Sequence, residues 1–301
     1  MSRAKPSLVR RMLFSIIKIA LGVFFGFGIL LLFAQNSLIY YPSRYPAGMA
    51  DGLAGEGVVK LSFETSEGRQ EAYWFRPVAR EAAIEDVTLP ENVWLTFGGN
   101  AAQALGWVDF LKLYRGPSAG FLLIEYPGYG DCDGSPSPAS ILESTEAAVA
   151  ALCGFLECDE TTLRPRLAVL GQSLGAAAGL QAAERFGISR IVLISPFTSL
   201  KAMARRVVGP VYAPLLRHAW DNVKRLESLC ERGGVRVRVV HGASDIEVPA
   251  SMSRELAERF PDMVALEVVP DMGHNDLVYG ASAIILRKIG ELSLLSPRAE
   301  P

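Results

Sequence analysis

The chain has 301 residues, room for one large α/β domain with a small appendage. Its net charge of −2 and pI of about 6.0 lack the basic footprint of a nucleic-acid binder. The mean hydropathy of +0.23 is high for a water-soluble protein, and the N-terminal segment accounts for much of it.

Met12 to Ala34 is apolar throughout, with Lys18 its single charge near one end. A bilayer core of about 30 Å takes ~20 helical residues, so residues 12–34 are predicted to form a transmembrane anchor. Lys18 can snorkel to the head groups. Arg3, Lys5, Arg10 and Arg11 precede the span, and Arg44 is the first basic residue after it. This bias predicts a cytoplasmic basic N-terminus over residues 1–11 and a folded domain on the periplasmic or luminal side. The competing reading is a cleaved signal peptide. Against it, Leu32 would stand three before a cut after Ala34, where a small residue is wanted.

Residues 35–56 are read as an interfacial linker, and residues 57–296 as the main domain. Within the linker, Tyr40, Tyr41 and Tyr45 either sit at the membrane interface or pack on the domain. Beyond it, apolar runs alternate with helical periodicity. Strands are predicted at Val58–Thr65, Glu71–Arg76, Asn92–Phe97, Gly120–Tyr126, Leu167–Leu170, Arg190–Ile194, Val235–His241 and Leu266–Val269. Helices are predicted at Ala102–Tyr114, Ser137–Leu156, Leu174–Phe186, Ser251–Phe260 and Asn275–Ile289. The alternation predicts an α/β fold: a mostly parallel eight-stranded sheet, covered on both faces, with its chemistry at the strand C-termini.

Gly171-Gln172-Ser173-Leu174-Gly175 joins an apolar strand to a small-residue helix. That is the pattern of a nucleophile elbow, in which a serine hydroxyl is exposed above the sheet at a sharp turn. The flanking glycines are required because a Cβ at either place would strike neighbouring backbone. Such a serine needs a base, and the base needs an orienting carboxylate. Of the three histidines, His274 lies on a Gly-flanked loop between the last strand and the closing helix. It is the candidate base. His241 ends a strand and is read as shaping the adjacent loop; His218 is read as packing or facing solvent on a helix. Asp245, in the loop leaving the seventh strand, is the candidate carboxylate, with Glu247 as local rival. Asp271 and Asp276 flank the histidine and are read as solvated loop residues or caps. Oxyanion donors are expected from the backbone N–H of Leu174 and from the Gly98-Gly99-Asn100 loop, with Asn100 preferred and Gly99 next.

Cys132, Cys153, Cys158 and Cys230 show no Cys-x-x-Cys pair and no His partner at metal spacing, so zinc is not expected, and a serine-based mechanism implies neither a metal nor an organic cofactor. An exported domain permits a disulfide among them. Buried or idle thiols are the expectation.

Phe97-Gly98-Gly99-Asn100-Ala101, Glu125-Tyr126-Pro127-Gly128-Tyr129-Gly130, the serine pentapeptide, Gly242 to Pro249 and Gly273-His274-Asn275-Asp276 occur in one order. With them the chain resembles the α/β-hydrolase superfamily over nearly everything after residue 57. With its N-terminal span and Tyr40-Tyr41-Pro42-Ser43, it looks like the small membrane-anchored α/β-hydrolase-domain proteins. One departure is Gly98-Gly99, where relatives usually carry His-Gly. The resemblance implies a serine hydrolase of esters or thioesters, with lipid-like or acyl-protein substrates. It also implies a cap, which here is the short stretch between Pro196 and Cys230; its apolar residues either line an acyl site or pack on the sheet. A peptidase of the same fold is the second reading. A non-catalytic, membrane-tethered binding protein is the third.

Overall fold

The computed structural model describes residues 8–46, 48–49, 57–77, 88–218 and 220–295. Arg3 and Lys5 of the basic N-terminus and residues 50–56 of the linker lie outside them. Helix α1 (Leu8–Ile39) contains the whole predicted apolar span and continues beyond it at both ends. It is long and apolar enough to cross a membrane, with a mean hydropathy of 2.5 over its most apolar window.

The sheet has eight strands: β1 (Val58–Thr65), β2 (Gly68–Phe75), β3 (Asn92–Phe97), β4 (Ala119–Ile124), β5 (Leu167–Gln172), β6 (Arg190–Ile194), β7 (Arg236–Gly242) and β8 (Val264–Val269). Their order is β1-β2-β4-β3-β5-β6-β7-β8. The pairs made by β2 are antiparallel, and every pair from β4 to β8 is parallel. The eight-stranded α/β sheet therefore matches the one expected, with boundaries moved by a few residues. Because side chains alternate along a strand, each parallel strand feeds two cores. In β5, Val169 packs into one core, and Ala168 and Leu170 pack into the other.

One face is covered by α2 (Pro138–Phe155), α3 (Leu174–Phe186), α5 (Asn222–Arg232) and α6 (Ala250–Arg259); between α3 and α5 the chain makes α4 (Leu200–Tyr212). The opposite face is covered by α7 (Ser282–Ser293) and the short turns after β3. Local chemistry sets several helix starts. Ser137 and Ser140 form a capping box at α2, Ser199 caps α4, and Asp221 caps α5.

Two predicted helices differ. In place of Ala102–Tyr114 there is a 3₁₀ turn (Ala104–Trp107) and one α turn (Val108–Leu111). Gly106, a poor helix former, lies inside this stretch. Asn275–Ile289 is divided into a turn (Leu277–Gly280) and α7, with Gly280 at the break. His218 is not on a helix: it stands in the loop before α5, where the Tyr40 hydroxyl bonds its Nδ1 at 2.9 Å.

The segment after α1 is built into the domain. Tyr40 is buried, and its hydroxyl also accepts from the Trp220 indole at 3.1 Å. Tyr45 is buried against the carboxyl of Glu125, while Tyr41 remains 53% exposed. The sequence alone suited these tyrosines equally to an interface; burying two of them gives their rings apolar contact and their hydroxyls partners.

Burial pushes the Glu125 carboxyl up to about 8, although the Tyr45 hydroxyl and the Ala104 and Tyr126 amides pull it down. In the unfolded chain the group titrates near about 4.3, so the folded state binds the extra proton between those values. Its contribution to stability is full below about 4.3 and is lost as pH rises through about 8. Thermal unfolding of the detergent-solubilised protein from pH 5 to pH 9 is expected to show a decline that Glu125→Gln flattens. Parallel profiles would remove Glu125 as the cause.

Candidate active site

The site begins with a backbone collision avoided. A Cβ on Gly171 would meet the backbone of Gly175 and Ala176, and one on Gly175 would meet the carbonyls of Phe97 and Gly98. The β5–α3 turn thus lies directly on the end of β3. Ser173, between the two glycines, takes φ +54° and ψ −115°, a left-handed backbone that non-glycine residues rarely adopt. Such strain persists where the surrounding packing over-determines it. Here that packing is the pair of glycine contacts, and the Ser173 N–H is also held by the Ile194 carbonyl at 2.9 Å.

β7 and β8 run parallel to β5, so their C-termini deliver Asp245 and His274 to the same rim. His274 Nδ1 donates to Asp245 Oδ2 at 2.7 Å. Both side chains are buried or nearly so. Ser173 lines the same cavity of about 630 Å³ as His274, along with Leu174 and Asn100. Among the described residues, no hydrogen bond joins the Ser173 hydroxyl to the ring. Such bonds are often long in unliganded sites and tighten when substrate binds.

The Asp245 carboxylate is the most heavily bonded group at the rim. Oδ1 accepts from the Glu247 and Val248 amides at 3.0 and 2.8 Å. Oδ2 accepts from His274 and also faces His241 Nε2 at 3.3 Å. Burial alone would push this carboxyl up; the hydrogen bonds from His241, His274 and Val248 outweigh it and hold the group far below the usual carboxylate range. It stays ionised at any working pH.

His241, read from the sequence as shaping the adjacent loop, holds that loop, and its contact with the Asp245 carboxylate is the part the sequence did not reveal. His241 is fully buried, with Nε2 also 2.8 Å from the Val248 carbonyl. A carbonyl only accepts, so Nε2 carries the proton, and Nδ1 accepts from the Ser253 hydroxyl at 2.6 Å. The ring therefore braces both the Asp245 carboxylate and the loop that carries it. The His-x-x-x-Asp spacing was the available signal, and it cannot by itself distinguish a brace from a neighbour. Glu247, the rival carboxylate, is about half exposed and lies 3.9 Å from His274 Nε2. It contacts the ring's opposite nitrogen and accepts from Asn275 at 2.9 Å.

The two predicted oxyanion donors also stand at the cavity. Among the described residues, neither the Leu174 nor the Asn100 N–H donates to another group. The carbonyl and the side-chain Nδ2 of Asn100 are engaged elsewhere. Its carbonyl accepts from the Tyr41 amide at 3.0 Å and the Tyr129 hydroxyl at 2.5 Å, and its Nδ2 donates to the Ile39 carbonyl at 3.2 Å. These contacts tie the loop to the end of α1.

The chain belongs to the alpha/beta hydrolase family, whose model matches residues 94–261. It is 32% identical over 250 residues to an uncharacterized protein of Mycobacterium tuberculosis, covering 80% of this chain and 81% of the other. An alpha-beta hydrolase from Vibrio vulnificus superposes with a TM-score of 0.61 at 15% identity, covering 95% of each chain. An esterase of Pyrococcus furiosus superposes at 0.59 and 15% identity, covering 84% of this chain and 97% of that one.

Removing the His241 ring strands the Val248 carbonyl and takes one donor from a buried carboxylate. An unsatisfied buried polar group costs about 1–3 kcal/mol. His241→Ala is therefore expected to lower stability by about that much, read as the thermal midpoint, whereas Glu247→Gln at the exposed rim changes it little. Equal midpoints for wild type and His241→Ala would rule out the bracing role.

Proposed function

We propose that this chain is a membrane-anchored serine hydrolase that cleaves carboxylic esters or thioesters through an acyl-enzyme. The observation that carries the reading is the buried Asp245–His274 pair delivered to the same cavity as a serine held at φ +54°. Ser173 Oγ attacks the acyl carbonyl while His274 Nε2 takes its proton. The negative charge on the carbonyl oxygen is received by the Leu174 and Asn100 amides, a contribution of about 3–4 kcal/mol per donor in comparable sites. His274 returns the proton to the leaving alkoxide or thiolate. Water then repeats the sequence in reverse and frees the acid. Asp245, permanently ionised, holds the ring in the tautomer that leaves Nε2 free to accept, and it stabilises the imidazolium.

The cavity wall supports acyl chemistry. Its lining is mostly aliphatic and aromatic, with its ionisable groups, Glu247 and His274, beside Ser173. The anchor reading rests on the length and hydropathy of α1, and the basic residues before it orient the domain to the non-cytoplasmic side.

A fluorophosphonate probe is expected to label wild type and not Ser173→Ala. Asp245→Asn is expected to lower kcat for an ester about 10⁴-fold, the size of effect such an exchange has in Ser-His-Asp sites. Undiminished labelling of Ser173→Ala would end the reading. If a peptide amide were cleaved and no ester or thioester were, the peptidase reading would take its place. Orientation has its own check. Cys230 is exposed, so a membrane-impermeant maleimide added to right-side-out vesicles is expected to label wild type and not Cys230→Ser. Protection of Cys230 until the vesicles are opened would reverse the assigned side.

A further inference from the structure

The two halves of α1 have different surroundings. From Leu8 to Phe27 every residue is exposed. Beyond that, Gly28, Gln35 and Ile39 are buried, at spacings that place them on one stripe of the helix. The stripe is held by specific contacts to the short cap. The Tyr212 hydroxyl donates to the Phe24 carbonyl at 3.1 Å, and its ring lies 5.0 Å from that of Phe27. The Gln35 amide is held from both sides: Oε1 accepts from the Arg217 N–H of the cap at 2.6 Å, and Nε2 donates to the Leu32 carbonyl of its own helix at 3.1 Å and reaches the Leu215 carbonyl of the cap at 3.4 Å. A tether has no need of a buried amide. A docked wall does.

Beside this stripe, Phe27, Leu31, Ala34 and Leu38 line the cavity that contains Ser173 and His274. The facing wall is α4, through Leu200, Met203, Ala204, Val207 and Val208. From Ile39 to Phe27 the wall runs about 18 Å at 1.5 Å per residue. Ser173 and His274 share this cavity with Asn100 and Glu247, while much of the aliphatic lining comes from α1 and α4. Phe27, Leu30, Leu31 and Ala34 belong at the same time to the cavity wall and to the apolar run of α1. On α4, Val207 is 80% exposed and Val211 61%. Such outward apolar surface next to a membrane-length helix fits contact with lipid. Lys201, Arg205 and Arg206, exposed on the same helix, suit lipid phosphates.

We propose that the outer half of α1 is a wall of the acyl-binding site. Its occupant is the long acyl chain of an ester resident in the same bilayer, entering sideways between α1 and α4. The inference rests on the serine-hydrolase reading above. The apolar tail lies along Phe27, Leu31 and Ala34 on one side and Met203, Ala204 and Val208 on the other, and its carbonyl reaches Ser173 without the tail crossing water.

The test uses the full chain reconstituted in phosphatidylcholine vesicles, with p-nitrophenyl butanoate in the water and p-nitrophenyl hexadecanoate in the bilayer. Ala34→Trp and Ala204→Trp fill the cavity from opposite walls; Ile19→Trp adds the same bulk on the exposed half of α1. Each cavity variant is expected to lower kcat/KM for hexadecanoate about tenfold or more, the scale on which an apolar pocket discriminates. Each cavity variant should lose more on hexadecanoate than on butanoate, and Ile19→Trp, outside the cavity, should change neither ester's hydrolysis nor fluorophosphonate labelling. Hexadecanoate carried in the enzyme's own vesicles is expected to be cleaved faster than the same ester in separate vesicles. Equal losses on both esters, no loss on either, or equal rates from own and separate vesicles would each overturn the proposal. Ala34→Leu and Ala204→Leu, which add less bulk, guard against a variant that loses its fold. Butanoate cleavage with no activity on hexadecanoate defeats this inference and leaves the hydrolase reading intact. No labelling and no ester cleavage by wild type defeats both.

Discussion

The site depends on one close approach of backbone to backbone, where the β5–α3 turn rests on the last carbonyls of β3. No side chain larger than hydrogen fits at Gly171 or Gly175, and the turn they permit forces Ser173 into its left-handed conformation. The approach does two jobs at once. It lifts the serine above the sheet rim, and it brings the Leu174 amide beside the loop of Gly99 and Asn100, since β3 and β5 are neighbours. Ser173 and the proposed oxyanion donors are thereby fixed by a single contact. Their relative placement does not depend on any flexible side chain, so little reorganisation is required when charge develops.

The second constraint is electrostatic. Removing a carboxylate from water costs several kcal/mol, and Asp245 is buried. Hydrogen bonds to a charged group contribute about 1.5–3 kcal/mol each, so two amides and two imidazoles together outweigh that cost. The downward shift of Asp245 has the sign this comparison requires. Glu125 shows the opposite balance. It is as deeply buried, but its partners do not offset the desolvation, and burial pushes its carboxyl up to about 8. Hydrogen bonding thus favours the charged form of Asp245, and burial favours the protonated form of Glu125.

Much of this was legible in the sequence because it is carried by local patterns. Continuous apolar runs such as Arg190–Ile194 mark strands buried on both faces, and the predicted bounds of β1, β3 and β6 coincide with the observed ones. Gly171 and Gly175 announce the sharp turn from spacing alone. The remaining features depend on contacts between distant segments, which no local pattern encodes. The pairing of Tyr40 with His218 and Trp220 joins positions 178 and 180 residues apart, so His218 could not be placed. The helix expected over Ala102–Tyr114 has the right apolar content, but Gly106 and packing against β4 leave it as two short turns. His241 ended a strand, where a buried ring has many possible uses; its use follows only from the way the β7–α6 loop folds back over it.

Hydropathy marked α1 as a span and said nothing of its orientation about its own axis. That orientation is set by Gln35. A glutamine in an otherwise apolar helix must find partners wherever it is removed from water, and at this position they are the Leu32 carbonyl of its own helix and the Leu215 carbonyl and Arg217 amide of the cap. Rotating the helix by one residue, about 100°, would strand the amide and carry Gly28 away from Tyr212 and Leu215, whose side chains lie 3.5–3.6 Å from where its Cβ would be. At the helix end, Asn100, which lines the cavity, holds the Ile39 carbonyl through its side-chain amide. A displacement of α1 relative to the domain would therefore be felt at the oxyanion loop. Contacts at Gly28, Gln35 and Ile39 thus fix α1 against the cap and against the loop that carries Asn100.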